Sequence, residues 1–262
     1  MNKVFSRPTV LADVVTHYCP GCTYGIIHRM VAQALEELDA ADRAVGVASV
    51  GCTVLAYDYL ECDFQQAAHG RAPAVATGIK RASPDSIVFT LQGDGDLAAI
   101  GTAEIVHAAA RGENVTVFFL NNTIYGMTGG QMAPTTLLGQ RSSTSPAGRT
   151  QERAGRPIKV SEMLATLDGP AYIERVAVDK PGNVVRAKRA IKKALSYQQQ
   201  GLGFTLVEVL STCPTNWGMT PDEALARIGR EVVPYFPLGV YKDIGEREDT
   251  AVDLPAKGGE PA

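Results

Sequence analysis

The chain has 262 residues, of which 45% are hydrophobic and 20% charged, and its net charge is −3. This composition is typical of a globular protein, and because no basic run stands out it argues against a nucleic-acid-binding function. We find no secretory leader and no apolar run of about 18 residues, so we expect a cytoplasmic protein without a membrane span. Thiols stay reduced in that compartment, and the five cysteines therefore favour metal binding or catalysis over disulfides.

Segments with strand-like and helix-like apolar spacing alternate along the chain. In chain order they predict a helix at 24–38, a strand at 43–51, a helix at 70–82, a strand at 86–92, a helix at 97–111, strands at 114–120 and 171–178, a helix at 184–200 and a strand at 204–210. Asp96 is predicted to be the N-cap of the helix at 97–111, with Gly112 at its C-terminal end. Residues 133–157, rich in Ser, Thr, Gly, Pro and Arg, predict a long loop.

Continuous apolar strands separated by helices predict an α/β fold, with a mostly parallel sheet and helices on both faces. The chain shows no internal repeat and no linker, so we predict a single domain over residues 1–241. The polar residues 242–262 are predicted to be a loose C-terminal tail. In a sheet of this kind, ligands bind at the carboxyl ends of the strands.

The loop after the predicted strand at 86–92 reads GDGD (93–96). Its glycines let the backbone approach a ligand, and the next helix would offer free N–H groups to an anion. Asp94 adds a carboxylate at the same place, which is unfavourable unless a cation lies between the two negative charges. A magnesium ion bound to phosphate meets both needs, and the neighbouring strand ends in Asn121 and Asn122, whose amide oxygens suit Mg²⁺.

Each of these motifs alone is more often a simple turn or helix cap. GDGDLA (93–98) also fits a loose dinucleotide fingerprint, but that fingerprint expects an acidic residue where this chain has Asn121 and Asn122. The combination of the two motifs at equivalent strand ends resembles the thiamine-diphosphate signature. This resemblance implies that Asp94, Asn122 and the backbone carbonyl of Ile124 hold Mg²⁺, and that the metal holds the diphosphate.

Four of the cysteines are expected at the same edge of the sheet. Cys52 and Cys213 each follow a predicted strand, and Cys19 and Cys22 form a C-x-x-C pair directly before the first helix. Four thiolates suit zinc or a 4Fe-4S cluster, whereas a redox pair would leave Cys52 and Cys213 unexplained. Cys62 has no Gly or Pro neighbour and is predicted not to be a ligand.

A series of motifs resembles the β subunits of 2-oxoacid:ferredoxin oxidoreductases, and it covers about residues 15–242 in the same order. The motifs are YCPGCTYG, VGC, HGRAPAVATGIK, GDGDLAAIGTAE, NNTIYGMTGGQMAPTT and LSTCPTNWG. The resemblance implies a thiamine-diphosphate-binding fold in which Cys19, Cys22, Cys52 and Cys213 hold a 4Fe-4S cluster. It is this resemblance, rather than the spacing, that favours iron–sulfur over zinc.

The implied reaction is oxidative decarboxylation of a 2-oxoacid with coenzyme A, which yields an acyl-CoA and CO₂ and passes electrons to ferredoxin or another acceptor. The Glu that activates thiamine is expected on a separate α subunit, so no catalytic residue is assigned here, and γ and ferredoxin-like subunits are further expected partners. Glu104 lies about two helical turns from the diphosphate end and is expected to be structural. A non-redox thiamine decarboxylase with zinc at the cysteines is the alternative.

Leu55 and Met127 are predicted on the substrate side. Apolar side chains do not suit a second carboxylate, and Met forms permissive pockets, so a branched-chain or aryl 2-oxoacid is favoured over 2-oxoglutarate. The residues of these motifs resemble those of the 2-oxoisovalerate branch of the family. The residues predicted to contact the cofactor are Gly21, Gly51, His69, Gly70, Gly93, Asp94, Gly95, Asp96, Asn122, Ile124 and Thr128.

Overall fold

The computed structural model describes residues 6–245, which contain a seven-stranded sheet. The strands are β1 (Ala44–Ala48), β2 (Asp63–Gln66), β3 (Ile87–Gly93), β4 (Thr116–Asn121), β5 (Pro170–Ala177), β6 (Phe204–Leu210) and β7 (Gly239–Asp243). Their order is β2-β1-β3-β4-β6-β5-β7, and all neighbours are parallel except β5 and β7. The predicted α/β fold with a mostly parallel sheet is confirmed.

Helices cover both faces of this sheet, as predicted. They are α1 (Tyr24–Glu37), α2 (Ala72–Ala82), α3 (Thr102–Ala110), α4 (Gln151–Ala154), α5 (Val160–Ala165), α6 (Pro181–Gln199), α7 (Pro214–Trp217), α8 (Pro221–Arg227) and α9 (Val233–Tyr235). Helices α1 and α6 pack on one face, whereas α2, α3 and α5 pack on the other. Within the part of the chain that the structure describes, every helix is too short or too polar to cross a membrane.

The central strands bury side chains on both faces because successive side chains of a strand point in opposite directions. In β4, Phe118 and Leu120 belong to the core under α1 and α6, whereas Val117 and Phe119 belong to the core under α2 and α3. All the residues of β4 are buried. This two-sided burial explains why the sequence shows a continuous apolar run there rather than an alternating one.

The helix predicted at 97–111 is divided, and the predicted N-cap at Asp96 is wrong. A π-helical turn (Asp96–Ile100) precedes α3, and no side chain caps its start at Gly95. The carboxylate of Asp96 instead accepts hydrogen bonds from the backbone N–H of Gly70 and from the side chain of Gln92, each at 2.7 Å. These donors come from other parts of the fold, so local sequence could not reveal them.

The end of the folded domain also differs from the predicted boundary between residues 241 and 242. Strand β7 runs to Asp243 and so crosses the predicted boundary at 241. The rest of the predicted tail, from residue 246 onward, lies outside the described residues. The predicted loop at 133–157 contains the short helix α4.

The central strands place the two polar motifs side by side. β3 and β4 are parallel neighbours, and Gly93 at the end of β3 is paired with Leu120 near the end of β4. The GDGD loop and the Asn121–Asn122 pair therefore meet at one edge of the sheet, as the sequence predicted.

Candidate functional site

A cavity of about 380 Å³ opens at the carboxyl ends of β1, β3 and β4. Its volume is in the usual range for a small-molecule or cofactor site. The residues that line it are Tyr24, Val50, Gly51, Cys52, His69, Gly93, Asp94, Gly95, Asp96, Ala99, Ile100, Asn122, Tyr125, Gly126, Met127 and Thr128. A second cavity of about 490 Å³, between the 137–140 segment and Arg227, Glu231 and Tyr235, contains none of the predicted site residues.

Asp94 is a deeply buried carboxylate of the cavity, with an exposed fraction of 3%. Its carboxylate accepts hydrogen bonds from the backbone N–H of Gly95 at 3.0 Å and from the hydroxyl of Thr135 at 2.8 Å. Burial raises the pKa of Asp94 from 3.8 to about 7, although these hydrogen bonds lower it. A nearby cation would restore the charged form, because it replaces the hydration that burial removes. The site therefore fits a bound Mg²⁺.

The turn after β4 brings Asn122 into the same cavity. The Oδ1 atom of Asn122 accepts a hydrogen bond from the backbone N–H of Ile124 at 3.2 Å. Between them, Thr123 has a φ of 61°, which is unusual for a residue with a branched side chain. The turn is thus held in a strained conformation next to Asp94, and strain of this kind is common at binding sites.

Tyr24, the first residue of α1, supports the end of β4 at the cavity. Its hydroxyl accepts a hydrogen bond from Nδ2 of Asn122 at 3.3 Å and donates one to the carbonyl of Leu120 at 3.4 Å. Burial raises the pKa of Tyr24 well above its usual value, and the charges of Cys52 and Asp94 raise it further. Tyr24 is therefore a neutral phenol within electrostatic reach of both Cys52 and Asp94.

Asp96 holds the loop before α2 against the cavity. Its Oδ1 atom lies 2.7 Å from Nδ1 of His69 and 2.7 Å from the backbone N–H of Gly70. Gly70 has a φ of 78°, and a Cβ there would lie 2.8 Å from the backbone of Gly101, so the loop packs tightly. With Nδ1 engaged in this way, the ring of His69 is fixed at the cavity wall.

Cys52 and Cys213 lie beside the backbone of Gly126. A Cβ placed on Gly126 would lie 3.1 Å from Sγ of Cys52 and 3.6 Å from Sγ of Cys213. Asn216 donates a hydrogen bond to Sγ of Cys213 at 3.3 Å and one to the carbonyl of Gly126 at 2.9 Å. The same Cβ position lies 3.6 Å from Nδ2 of Asn122, so the thiols are close to the polar end of the cavity.

The four predicted ligand cysteines interact electrostatically. Burial raises the pKa of Cys22 and of Cys52 to about 12, and it also raises the pKa of Cys213. In all three thiols the charge of Cys19 raises the pKa further. A positively charged metal centre stabilises thiolates and would lower these pKa values, so the donor set fits the predicted cluster. By contrast, the pKa of Cys62, which burial raises to about 12, responds to Asp63 and Glu61 rather than to the other cysteines.

Over residues 6–245 no group of three or more His, Cys, Asp or Glu side chains converges on the position of a single metal ion. A 4Fe-4S cluster takes four thiolates, each on its own iron, so its ligands do not need to meet at one point.

Most of the predicted cofactor residues line the cavity, whereas four of the predicted cofactor and substrate residues, and the cysteines Cys19, Cys22 and Cys213, do not. Gly21 lies outside it: its φ is 79°, and a Cβ there would lie 2.7 Å from Pro221, so packing against α8 requires the glycine. Leu55 is half-buried, and Gly70 and Ile124 are buried, but none of the three is among the lining residues. Met127 does line the cavity, and 48% of its surface is exposed.

Several residues of the site could not be identified from the sequence. Tyr24, Tyr125, Thr135 and Asn216 lie within the quoted motifs, but their individual contacts join residues that are distant in sequence. For Tyr125 the contact is with Gly95, where a Cβ would lie 2.9 Å from the tyrosine ring. Glu104 forms an ion pair with Arg71.

Comparison with known proteins agrees with this geometry. Residues 49–209 match the family described as thiamine pyrophosphate enzyme, C-terminal TPP binding domain. A solved 2-oxoglutarate:ferredoxin oxidoreductase from Magnetococcus marinus, with 2-oxoglutarate, coenzyme A and succinyl-CoA bound, superposes with a TM-score of 0.72 over 97% of this chain and 94% of that chain. At 24% identity this likeness shows the fold alone.

Two curated relatives are closer in sequence. Ketoisovalerate oxidoreductase subunit VorA from Methanothermobacter thermautotrophicus is 49% identical over 243 residues, which are 93% of this chain and 51% of the relative. The 2-oxoglutarate synthase subunit KorB from Archaeoglobus fulgidus is 37% identical over 213 residues, which are 81% of this chain and 75% of the relative. The chain thus spans about half the length of the first relative and most of the second.

The matched domain and the cavity define a thiamine-diphosphate-binding protein, and the chain belongs to the thiamine pyrophosphate enzyme family. Within it, the relatives show that the chain belongs with the β subunits of 2-oxoacid:ferredoxin oxidoreductases. The resemblance drawn from the sequence motifs is therefore confirmed.

Proposed function

We propose that this chain is the subunit that binds thiamine diphosphate, Mg²⁺ and a 4Fe-4S cluster in a complex that oxidatively decarboxylates a 2-oxoacid with coenzyme A. The products are an acyl-CoA and CO₂, and the electrons leave through the cluster to ferredoxin or another acceptor. The observation that carries the proposal is that a predicted cluster ligand and the predicted Mg²⁺ ligands line one cavity. Cys52 lines the same cavity as Asp94 and Asn122.

The chemistry depends on both bound groups. Thiamine diphosphate supplies the carbon nucleophile and the electron sink for decarboxylation, and an iron–sulfur cluster accepts electrons singly. This chain's residues bind and orient these groups. Asp94, Asn122 and the carbonyl of Ile124 would hold Mg²⁺, while Thr135 and the backbone N–H of Gly95 fix the carboxylate of Asp94 through hydrogen bonds.

The cluster ligands would be Cys19, Cys22, Cys52 and Cys213. The side chain of Asn216 donates to Sγ of Cys213, and a hydrogen bond of this kind tunes the reduction potential of a cluster. Gly126 leaves the space beside Cys52 and Cys213 free of a side chain. These features support a site that is shaped for a bulky inorganic group.

The cavity gives this chain no activating glutamate. Among the described residues that line it, the carboxylates are Asp94 and Asp96, and both are engaged in hydrogen bonds with the protein. This supports a Glu supplied by an α subunit that covers the exposed side of the cavity. The resemblance of the motifs to the family further implies γ and ferredoxin-like subunits in the complex.

The favoured substrate is a branched-chain or aryl 2-oxoacid. Val50, Ile100 and Met127 give the cavity an apolar wall, and neither Lys nor Arg is among its described lining residues. A 2-oxoglutarate site would need a cation for the second carboxylate. The higher identity to the ketoisovalerate oxidoreductase subunit than to the 2-oxoglutarate synthase subunit supports the same choice.

The test is anaerobic co-purification of the complex from its natural source, followed by metal analysis and a substrate panel. We expect iron and sulfide at four atoms of each per cluster, visible absorption that 2-oxoacid and coenzyme A bleach together, and a higher kcat/KM for 2-oxoisovalerate or phenylglyoxylate than for 2-oxoglutarate. A colourless complex with zinc would contradict the redox function and favour a thiamine decarboxylase. A higher kcat/KM for 2-oxoglutarate would contradict only the substrate choice.

A further inference from the structure

The two asparagines at the end of β4 face opposite sides of the sheet. Asn122 lines the cavity, whereas Asn121 is fully buried and does not line it. This follows from the alternation of side chains at the end of a strand. Asn121 is therefore not a metal ligand, and its role must lie in the interior.

Asn121 forms two hydrogen bonds that act as a clamp. Its Nδ2 atom donates to Oε1 of Glu208 at 2.8 Å, and its Oδ1 atom accepts from the backbone N–H of Thr123 at 3.1 Å. The second bond holds Thr123 in its positive-φ conformation, which the branched side chain disfavours. The clamp thus acts on the residue that lies between Asn122 and Ile124.

Glu208 is itself fixed inside the protein. It lies on β6, it is fully buried, and its Oε2 atom accepts hydrogen bonds from Nε of Arg175 at 2.8 Å and from the hydroxyl of Ser161 at 2.5 Å. Arg175 is equally buried and also pairs with Glu162. A buried ion pair is costly to desolvate and is weak evidence for a role in stability. The hydrogen bond from Asn121 to Glu208 links this pair to the turn, and a positioning role better explains that link.

The other side of the same turn is held as well. The carbonyl of Thr123 accepts hydrogen bonds from the hydroxyl of Thr136 at 2.6 Å and from the side chain of Gln140 at 3.0 Å. With both its N–H and its carbonyl bound to side chains, the peptide plane on each side of Thr123 has one orientation. That orientation decides where the side chain of Asn122 and the carbonyl of Ile124 point.

We infer that Asn121 and Glu208 are positioning residues for the metal site, and that their hydrogen bond sets the affinity of the turn for Mg²⁺. The inference rests on the proposed function, because it takes Asn122 and Ile124 as Mg²⁺ ligands. Residues that orient metal ligands typically change metal affinity by 10–100-fold when they are replaced.

The experiment exchanges donor and acceptor between the two side chains in the intact complex. Asn121→Asp keeps an acceptor for Thr123 but places an acceptor against Glu208. Glu208→Gln keeps an acceptor for Arg175 but turns a donor toward Asn121. The double variant restores one donor and one acceptor. The two single variants change the local charge in opposite directions, so a shared effect cannot come from charge alone.

Complexes are first stripped of metal and cofactor. Circular dichroism then monitors the binding of thiamine diphosphate as Mg²⁺ is added, and the quantity measured is the Mg²⁺ concentration at half-saturation. We expect each single variant to raise this concentration about tenfold or more, and the double variant to recover most of the loss. Thr205→Val is the matched control, since it removes a buried hydroxyl on β6 that bonds Thr116 rather than the turn. It should lower the melting temperature without changing the Mg²⁺ requirement.

Three outcomes overturn the inference. Unchanged Mg²⁺ half-saturation in both folded single variants, or an equal change in Thr205→Val, would show that the network is merely structural. If both single variants fail to assemble, a double variant that assembles but still needs about tenfold more Mg²⁺ than wild type has the same meaning. Binding of thiamine diphosphate by the wild-type complex without Mg²⁺ would instead remove the metal site of the proposed function.

Discussion

At the scale of single residues, Asp94 carries a charge that the protein alone does not favour. Its pKa is raised by burial from 3.8 to about 7, whereas in the unfolded chain the carboxyl releases its proton near 3.8. Between these two pH values the carboxyl of Asp94 keeps its proton in the folded state but has lost it in the unfolded state. The free energy of unfolding therefore falls as the pH rises from about 4 to about 7, by an amount on the order of 4 kcal/mol.

This leads to a pH prediction for metal-free protein. Asp94→Asn removes the titration, so the stability of the variant relative to wild type should increase by up to about 4 kcal/mol between pH 4 and pH 8. Urea unfolding of both proteins across this range measures it. Adding Mg²⁺ and thiamine diphosphate to wild type should abolish the pH dependence, because the cation stabilises the carboxylate. A constant difference between the two proteins at all pH values would contradict the prediction.

Gly126 offers a second test at a single position. A methyl group there would lie 3.1 Å from Sγ of Cys52 and would occupy space beside Cys213. We expect Gly126→Ala to lose most of its cluster iron and visible absorption while it still folds. Gly25→Ala is the control, because Gly25 lies in the first turn of α1, close to Cys22, and has open space around it. Full retention of iron in Gly126→Ala would place the cluster elsewhere.

At the scale of elements, Gln198 near the end of α6 substitutes for a missing strand neighbour. Its side chain accepts a hydrogen bond from the N–H of Val88 at 2.6 Å and donates to the carbonyl of Val88 at 2.8 Å. Strand β4 begins at Thr116, which pairs with Phe89, so it does not reach Val88. The helix thereby completes the hydrogen bonding of the central sheet.

Gln198→Leu should destabilise the protein strongly. The change keeps the volume but leaves the buried N–H and carbonyl of Val88 without partners, which costs about 1–3 kcal/mol for each group, or roughly 2–6 kcal/mol together. Chemical denaturation of the variant measures this loss. Gln200→Leu, on the exposed side of the same helix end, should change stability by no more than about 0.5 kcal/mol. A loss of similar size in both variants would contradict the role given to Gln198.

The elements also show which parts of the fold a sequence can reveal. The predicted strands of the central sheet were found because buried parallel strands leave continuous apolar runs, and β6 matches the prediction at 204–210. Strand β2 was missed because it is a polar edge strand. The cap predicted at Asp96 was wrong because donors from Gln92 and Gly70 compete for its carboxylate. Local pattern does not report tertiary competition of this kind.

The same reasoning applies to the site. The meeting of Asp94 and Asn122 in one cavity was predictable, because the carboxyl ends of neighbouring parallel strands lie at the same edge of a sheet. Tyr24 and Asn216 were not, since an aromatic residue at a helix start and an asparagine after a proline have many ordinary uses. What distinguishes them is their hydrogen bonds to the segment after β4, which join Tyr24 to Asn122 and Asn216 to Gly126.

At the scale of the whole molecule, the cavity is open and its apolar rim is exposed. Ile100 and Met127 line it and are about half exposed, at 51% and 48%. An exposed apolar rim around a cofactor cavity suits contact with another subunit. Such a rim fits the proposed division of roles, in which this chain would hold the metal and cluster and a partner would supply the activating carboxylate.

We therefore expect the isolated chain to bind thiamine diphosphate in the presence of Mg²⁺ but to show no decarboxylation of a 2-oxoacid. Isothermal titration calorimetry measures the binding, and trapping of released CO₂ measures turnover. Addition of the α subunit should restore turnover and tighten cofactor binding. Turnover by the isolated chain at the rate of the complex would refute the division of roles between subunits.

Hydrogen bonds join the segment before α1 to the residues that follow β6. The hydroxyl of Thr212 donates to the carbonyl of Gly21 at 2.7 Å, and the N–H of Thr212 donates to the hydroxyl of Thr23 at 3.2 Å. Contacts between residues so distant in sequence close late in folding, because loop-closure entropy opposes them. During synthesis, Cys19 and Cys22 leave the ribosome long before Cys213. The proposed cluster site would therefore be complete only after Cys213 has been synthesised.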